Sequence, residues 1–288
     1  MRVAFLTPDP KDPGYRTRWR ETFERQAGLL RDAGIRVEGR SWVDPDLDGF
    51  DLILPLLVWG YHRAGARWQA RCADWERRSL PVANPPDVLR WNADKSYLGR
   101  LAALGAPIVP TRFVERVDAP VLEAAAAAFG SERLIAKPRV SASAWQTICW
   151  SPGAPLDGAP EGPALIQPYL STIEQEGELS LIYLGGRFSH AIRKRPRPGD
   201  FRVQPEYDGI NTAHAPEADE LAAAEAVLAA IDAPLLYARI DIMRDLAGAP
   251  VLMEAELVEP DLYFEYDEAD CGRLFPEAVK TYRTIAIS

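Results

Sequence analysis

The sequence predicts a mixed architecture: a small parallel α/β domain over about residues 1–90, then a larger α+β part made of antiparallel hairpins. Two patterns carry this reading. Near the start, apolar runs and amphipathic segments alternate in βαβαβ order, as in a parallel sheet with crossover helices. Further on, apolar runs come in pairs joined by tight turns, Gly185-Gly186 and Asp245-Leu-Ala-Gly-Ala-Pro250, as in hairpins.

In the first part, Arg2–Leu6 reads as a strand and Arg16–Ala33 as a helix with Trp19, Phe23, Ala27 and Leu30 near one face. Gly34 ends that helix. A short strand at Ile35–Val37, an apolar strand at Asp51–Val58, a helix at Arg67–Arg78 and a strand at Leu80–Ala83 follow, and Pro85-Pro86 marks the exit. Asn92 is placed to cap a helix running to Leu104, with Gly105 at its C′ position. Strands are expected at Ile108–Val114, Arg133–Lys137, Ala164–Tyr169, Leu179–Leu184 and Arg187–Arg193. Helices are expected at Ala119–Phe129, Pro216–Ile231 and Ala269–Thr284, while Ser151–Gly162 and Arg195–Gly199 read as irregular.

Composition narrows the function. The chain is 47% hydrophobic and 26% charged, which is ordinary for a globular protein, and its net charge of −9 argues against a nucleic-acid or membrane-surface partner. The longest apolar run, Leu52–Trp59, is too short to span a bilayer. The scattered Cys72, Cys149 and Cys271 suggest reduced thiols and a cytoplasmic location. The histidines, His62, His190 and His214, lack zinc-type spacing.

Arg239-Ile-Asp-Ile-Met243 and Glu254-Ala-Glu-Leu-Val-Glu-Pro260 both alternate polar and apolar residues, the period of a strand. Pairing Asp241 with Glu254 sets Arg239 opposite Glu256 and leaves Ile240, Ile242, Met253, Ala255 and Leu257 on the other face. Facing carboxylates repel by roughly 4 kcal/mol at about 4 Å and an effective dielectric near 20. Such a face either binds a divalent cation, for which Mg²⁺ is suited, or is a solvated hairpin with an Arg239–Glu256 ion pair.

Only five of the 33 basic residues are lysines, so Lys95, Lys137 and Lys194 carry weight. Lys95 closes Trp91-Asn-Ala-Asp-Lys95 in the first turn of a helix, and Lys137 ends the apolar strand Leu134-Ile-Ala-Lys-Pro138. Arg193, Lys194 and Arg202 form a local positive cluster suited to a phosphate and a carboxylate. Tyr61 and His62 follow an apolar strand on the side where such folds take substrates, or else pack there. No P-loop, GxGxxG or GxSxG is present.

Taken in order from Trp91 to Pro260, about two-thirds of the chain, these pieces resemble the ATP-grasp superfamily, which includes D-alanine–D-alanine ligase and glutathione synthetase. They look most like its branch with the ureidoserine cyclo-ligase of cycloserine biosynthesis. The resemblance implies an ATP-grasp fold with a pre-ATP-grasp α/β domain at 1–90, a lid subdomain at 91–170 and a C-terminal subdomain at 171–288 carrying a metal site.

It also implies roles. Lys95 and Lys137 match the nucleotide lysines; Arg139–Ala144, with Ser141 and Ser143, takes the place of a phosphate loop that is usually glycine-rich. Gln167, Pro168, Tyr169 and Leu170 resemble the adenine hinge, where backbone groups around Tyr169 meet the base, and Glu178 resembles the ribose carboxylate, with Glu174 and Glu176 as less favoured alternatives. Asp241, Glu254 and Glu256 take the metal positions, with Glu256 standing where asparagine is usual. Arg239, Arg202 and Lys194 are the implied catalytic cations, and Tyr61, His62 and Arg193 the implied substrate contacts.

The implied cofactors are ATP and Mg²⁺, with Mn²⁺ as a substitute, and the partners a small-molecule carboxylate and a nitrogen nucleophile. The implied reaction activates the carboxylate as an acyl phosphate and captures it with nitrogen to give an amide. Intramolecular cyclisation, a small-molecule kinase, a nucleotide-binding domain without catalysis, and a homodimer all remain open at this stage.

Overall fold

The computed structural model describes residues 1–13, 19–203, 207–270 and 272–286. Arg16–Arg18, expected in the first helix, and Cys271 lie outside the described residues. The N-terminal part builds strand β1 (Arg2–Thr7), helix α1 (Trp19–Asp32), β2 (Arg36–Ser41) and β3 (Leu52–Leu54) into a parallel sheet in the order β2-β1-β3. The apolar run Asp51–Val58 gives a strand of only three residues, because Pro55 has no N–H to donate to a ladder. Leu80–Ala83 is not a strand: a single parallel bridge, Ile53 to Val82, joins it to the sheet. A 3₁₀ turn at Tyr61–Ala64 leads into α2 (Gly65–Arg77).

The helix expected from Asn92 to Leu104 is two helices, α3 (Pro86–Asn92) and α4 (Tyr97–Ala103), and Asn92 ends the first instead of capping one. Its side chain is spent on a strand, as described below. Next come β4 (Arg112–Val114), α5 (Ala119–Phe129), β5 (Leu134–Pro138), β6 (Ile148–Trp150) and β7 (Ala164–Pro168), which form an antiparallel sheet in the order β4-β7-β5-β6. Asp118 caps α5 by accepting from Val121 N at 3.0 Å.

The last part contains α6 (Thr172–Gln175), β8 (Glu178–Leu184), β9 (Arg187–Arg195), β10 (Ile210–His214), α7 (Ala218–Ile231), β11 (Tyr237–Arg244), β12 (Pro250–Glu256) and α8 (Leu274–Ala286). Its sheet is antiparallel, in the order β10-β9-β8-β11-β12. The expected register holds: Arg239 faces Glu256 and Asp241 faces Glu254. A bulge after Asp241 then pairs Ile242 with Leu252 and leaves Met253 as the extra residue. Leu252, not Met253, therefore joins Ile240, Ile242, Ala255 and Leu257 in the core against α7.

Candidate active site

Strand alternation sorts this sheet into two faces. On one face of β8, β9 and β11, Ile182, Leu184, Ile192 and Tyr237 pack into the core that β1, α1 and α8 share. Further along the same face stand Glu178, Ser180, Lys194, Arg239 and Asp241, all less than one-tenth exposed. An apolar anchor thus gives way, within one face, to a dense set of charges.

Those charges compensate one another. Lys194 Nζ pairs with Glu178 and lies 3.4 Å from Asp241 Oδ2. Arg239 donates to both oxygens of Asp241, at 3.0 and 2.9 Å, and also to Glu256. Ser180 Oγ adds a 2.5 Å bond to Asp241 Oδ1. Burial pushes the Asp241 carboxyl up, but Arg239 and Lys194 outweigh it and hold the group below the usual range. Burial likewise opposes the charge on Lys194, and Asp241 and Glu178 reverse the balance and raise its pKa.

Two further lysines reach the free end of the hairpin. Lys95, between α3 and α4, places Nζ 3.1 Å from Glu254 Oε1 and donates to Ser141 O at 2.7 Å. Lys137, at the end of β5, lies 3.2 Å from Met253 Sδ, the residue that the bulge turns toward it. With so soft a partner, burial lowers the Lys137 pKa, against the pull of Glu254. Glu254 is held down by Lys95 and Lys137 despite its burial. Burial and the charges of Asp241 and Glu254 lift Glu256 to about 7 against the pull of Arg239.

β12 is an edge strand, and side chains finish its outer edge. Asn92 donates to Ala255 O at 2.8 Å and accepts from Leu257 N at 2.9 Å, bracketing Glu256 as a neighbouring strand would. Tyr97 OH accepts from Ala255 N at 2.8 Å, Asn84 Nδ2 donates to Leu257 O at 2.9 Å, and Tyr237 OH donates to Val258 O at 3.0 Å. Sequence reading missed these residues. Their signal is faint, because polar side chains next to an apolar helix face also serve as caps, the role first given to Asn92.

Of the residues singled out from sequence, Lys95, Lys137, Ser141, Glu178, Lys194, Arg239, Asp241, Glu254 and Glu256 come together here. Arg193 does not. It alternates with Lys194, so it faces α7, where it donates to Glu176 O and lies 3.9 Å from buried Glu220. Arg202 also stands apart, bound bidentately by Asp200 at 3.0 and 2.8 Å with its guanidinium 3.7 Å from the Tyr207 ring centroid. The positive cluster of Arg193, Lys194 and Arg202 is therefore dispersed by strand alternation and a local turn. Ser143 is exposed in the loop after β5, with φ at +51°.

At the hinge, Gln167 donates to Thr111 Oγ1 at 2.9 Å, and Pro168 pairs with Leu134. Tyr169 N already donates to Arg133 O at 2.9 Å, which removes this N–H from the groups open to a base. Leu170 packs with Val109, Val251 and Met253, and so adjoins Lys137 through Met253. Tyr61 is buried at the rim of the N-terminal sheet. Its pKa is raised by burial and then by Glu259, Glu254 and Glu256. His62 is pushed down to about 4 by burial, then by Arg63 and Lys95, and its buried Nδ1 has no partner among the described residues. Tyr61 is thus within electrostatic reach of the acidic hairpin, whereas His62 is within reach of Lys95.

Among the described residues, no three His, Cys, Asp or Glu side chains are gathered as a metal cage. Asp241, Glu254 and Glu256 instead each turn toward a cation. Their chemistry still fits Mg²⁺, which takes oxygen donors and is held by one or two carboxylates plus substrate phosphates and water.

Comparison with known proteins identifies the family. Residues 3–84 match the family model of the N-terminal domain of D-cycloserine synthetase DcsG. The chain is 30% identical, over 83% of its length and 86% of the relative's, to the cycloserine biosynthesis protein DcsG of Streptomyces lavendulae. The chain belongs to the DcsG family of ATP-grasp ligases. It superposes on the crystal structure of D-cycloserine synthetase DcsG with a TM-score of 0.82 at 26% identity, covering 98% of this chain and 100% of that one. A D-alanine–D-alanine ligase from Bacillus anthracis shares the fold at a TM-score of 0.74 and 14% identity, covering 100% of this chain and 99% of that one. As a DcsG-family member, the protein is an ATP-dependent, amide-forming ligase acting on small molecules. Among the described residues, no helix is long and apolar enough to cross a membrane.

Proposed function

We propose that the protein activates the carboxylate of an amino-acid-like substrate with ATP and captures the acyl phosphate with nitrogen to close an amide. The observation that supports this most is the charge network of four carboxylates, Glu178, Asp241, Glu254 and Glu256, interleaved with Lys95, Lys137, Lys194 and Arg239. A phosphoryl-transfer site needs both signs: cations for the phosphates and acids for their metal.

In this reading the base of ATP lies by the Gln167–Leu170 hinge. Its phosphates reach Lys137 and Lys95, with the Ser141 backbone already ordered by Lys95. Asp241, Glu254 and Glu256 would hold Mg²⁺, or Mn²⁺ in its place, and the metal would supply neutralisation of phosphate charge. A substrate carboxylate oxygen attacks the γ-phosphorus and ADP leaves. Nitrogen then attacks the acyl carbon, phosphate departs, and the nitrogen proton passes to solvent or phosphate. Arg239, which donates to Asp241 and Glu256, would stabilise the oxyanion that forms, and Lys194 would steady the transferring phosphate. Glu178 pairs with Lys194 through Oε1 and, as a carboxylate, keeps acceptor capacity for the ribose hydroxyls.

Kinship with DcsG over most of the chain favours a nucleophile carried by the substrate itself, so that the product is a ring. ADP release should depend on an O-ureido-D-serine-like acceptor and Mg²⁺, and hydroxylamine should divert the intermediate to a hydroxamate. A phosphate ester that resists hydroxylamine would mean a kinase; no acceptor-dependent ADP over a broad panel would mean nucleotide binding without ligation. Mass spectrometry separates a cyclised product from two joined molecules.

A further inference from the structure

We propose that Arg63, held by Asp12, fixes the His62 ring with its proton on Nδ1, so that the N-terminal crevice presents a hydrogen-bond donor to an acceptor oxygen of the substrate. This deepens the ligase reading and rests on it for the ligand, while the position of the proton stands without it. The placement follows from topology. β1 lies between β2 and β3, so the chain crosses from one side of β1 to the other. The carboxyl ends of β1 and β3 thus border the switch point at which open parallel sheets take their ligands. Asp12 follows the carboxyl end of β1, and His62 and Arg63 follow that of β3. Arg63 spans the two loops: its Nε donates to Asp12 Oδ2 at 3.1 Å and its Nη2 to Asp12 Oδ1. Gly60 leaves room for the pair, since a Cβ there would meet Arg63 Nη2 and Asp12 Oδ2 at 2.7 and 2.8 Å.

The third nitrogen of this guanidinium, Nη1, lies 3.3 Å from His62 Nε2. A guanidinium has donors and no acceptor, so Nε2 accepts, and the single proton of a neutral imidazole is then on Nδ1. The ring is neutral near pH 7, because burial, then Arg63 and Lys95, bring it down to about 4 against the pull of Asp12. Nδ1 itself is buried and has no hydrogen-bond partner among the described residues. An N–H shielded from water and left without an acceptor is costly, and folded proteins rarely keep one without a use. The ligand that answers it brings a lone pair. Arg63 and Lys95 are the positive charges that act on the ring, so an oxygen, best an anionic one, is favoured there over an ammonium. Arg63 is thus a positioning residue, and His62 alone touches the substrate.

The chain has only three histidines, His62, His190 and His214, so long-range ¹H–¹⁵N spectra of the imidazole-labelled protein read each tautomer, and His62→Asn assigns the His62 signals. Near pH 7 the wild type should carry the His62 proton on Nδ1. Arg63→Met should move it to Nε2, the tautomer that free imidazole side chains favour, with the His190 and His214 signals in place as the mark of an intact fold. A wild-type proton on Nε2 or on both nitrogens, or an unchanged tautomer in Arg63→Met, overturns the proposal. Initial rates with O-ureido-D-serine then test the donor. Asparagine sets an amide N–H where Nδ1 stands, and glutamine sets one where Nε2 stands. His62→Gln should therefore raise KM for this acceptor by roughly tenfold to a hundredfold, the worth of one charged hydrogen bond. His62→Asn should raise it by less than about threefold, and both should leave KM for ATP in place. Equal or reversed losses in the two variants, or no loss in either, overturn the donor while the ligase reading stands. If no acceptor yields ADP with the wild type, the ligase reading fails and the proton alone decides: on Nδ1 with Arg63 and off it without Arg63 supports the proposal, and any other result overturns it.

Discussion

The C-terminal sheet carries a charge network on each face, and the two are built for different ends. On the α7 face, Glu220 completes a capping box by accepting from Glu217 N at 2.8 Å and also meets Arg193, Arg244 and His214. Its partners come from the same local group of elements, and the network closes on itself. On the cleft face, the acids of β8, β11 and β12 are met by Lys95 and Lys137 from outside the sheet as well as by Lys194 and Arg239 from within it. That network is open at its far end, where the only hydrogen-bond partner of Lys137 among the described residues is the Met253 thioether. Buried ion pairs alone therefore do not mark a site; incomplete ones do.

The comparison breaks most sharply at Glu220. Glu220→Ala leaves Arg193 facing the core without its acid and removes one arm of the capping box, and should cost about 3–5 kcal/mol. Denaturant melts should show the loss, while KM for ATP, measured where the variant is still folded, stays put. The reverse holds for Glu254→Gln on the cleft face. It keeps shape and a hydrogen bond to Lys95, so stability should change little, but ADP formation should fall by roughly a hundredfold to a thousandfold and need more Mg²⁺. A Mg²⁺ titration of initial rates checks this, and unchanged activity and metal demand would remove Glu254 from the metal position.

How much of this was legible before the structure follows from the same alternation. Period-two reading set Arg239 opposite Glu256 and Asp241 opposite Glu254, because a strand's register propagates from one correct pair. It misplaced Met253 because a bulge is decided by the partner strand and by packing, neither of which is written locally. Grouping Arg193 with Lys194 ignored the rule that consecutive strand residues face opposite ways. The strand Ile210–His214 was missed because its residues are exposed or half-exposed and show no apolar alternation. Asn92 was misread because its partners, Ala255 and Leu257, lie more than 160 residues away.

Asn92 gives the next test, smaller than the first two. Asn92→Ala leaves Leu257 N without its side-chain acceptor and Ala255 O with Tyr97 OH as its remaining side-chain donor, at 3.1 Å, in a buried setting, at a cost of about 1–3 kcal/mol. A residue that only supported the fold would lower the melting temperature and nothing more. Since its two bonds bracket Glu256, the variant should also need a higher Mg²⁺ concentration for half-maximal rate, with KM for ATP less affected. A drop in stability alone would make Asn92 structural and move it to the closed side of the comparison.

The smallest effect is expected where neither network reaches. The loop after β5 is poor in glycine, yet Ser143, Ala144 and Gln146 all have φ near +50°, a region that costs a residue with a Cβ roughly 1–2 kcal/mol. One end of the loop is anchored, since Arg139 forms a bidentate pair with Asp94 at 3.0 and 2.7 Å and Ser141 O holds Lys95. Ser143 itself is exposed. Glycine there relieves strain in the folded form but also loosens the unfolded chain, which offsets part of the gain. Ser143→Gly should therefore stabilise the protein by about 1 kcal/mol or less, with KM for ATP within about twofold of wild type. A large rise in KM for ATP would show that the Ser143 hydroxyl grips phosphate after all, and would extend the open network from the sheet into the loop.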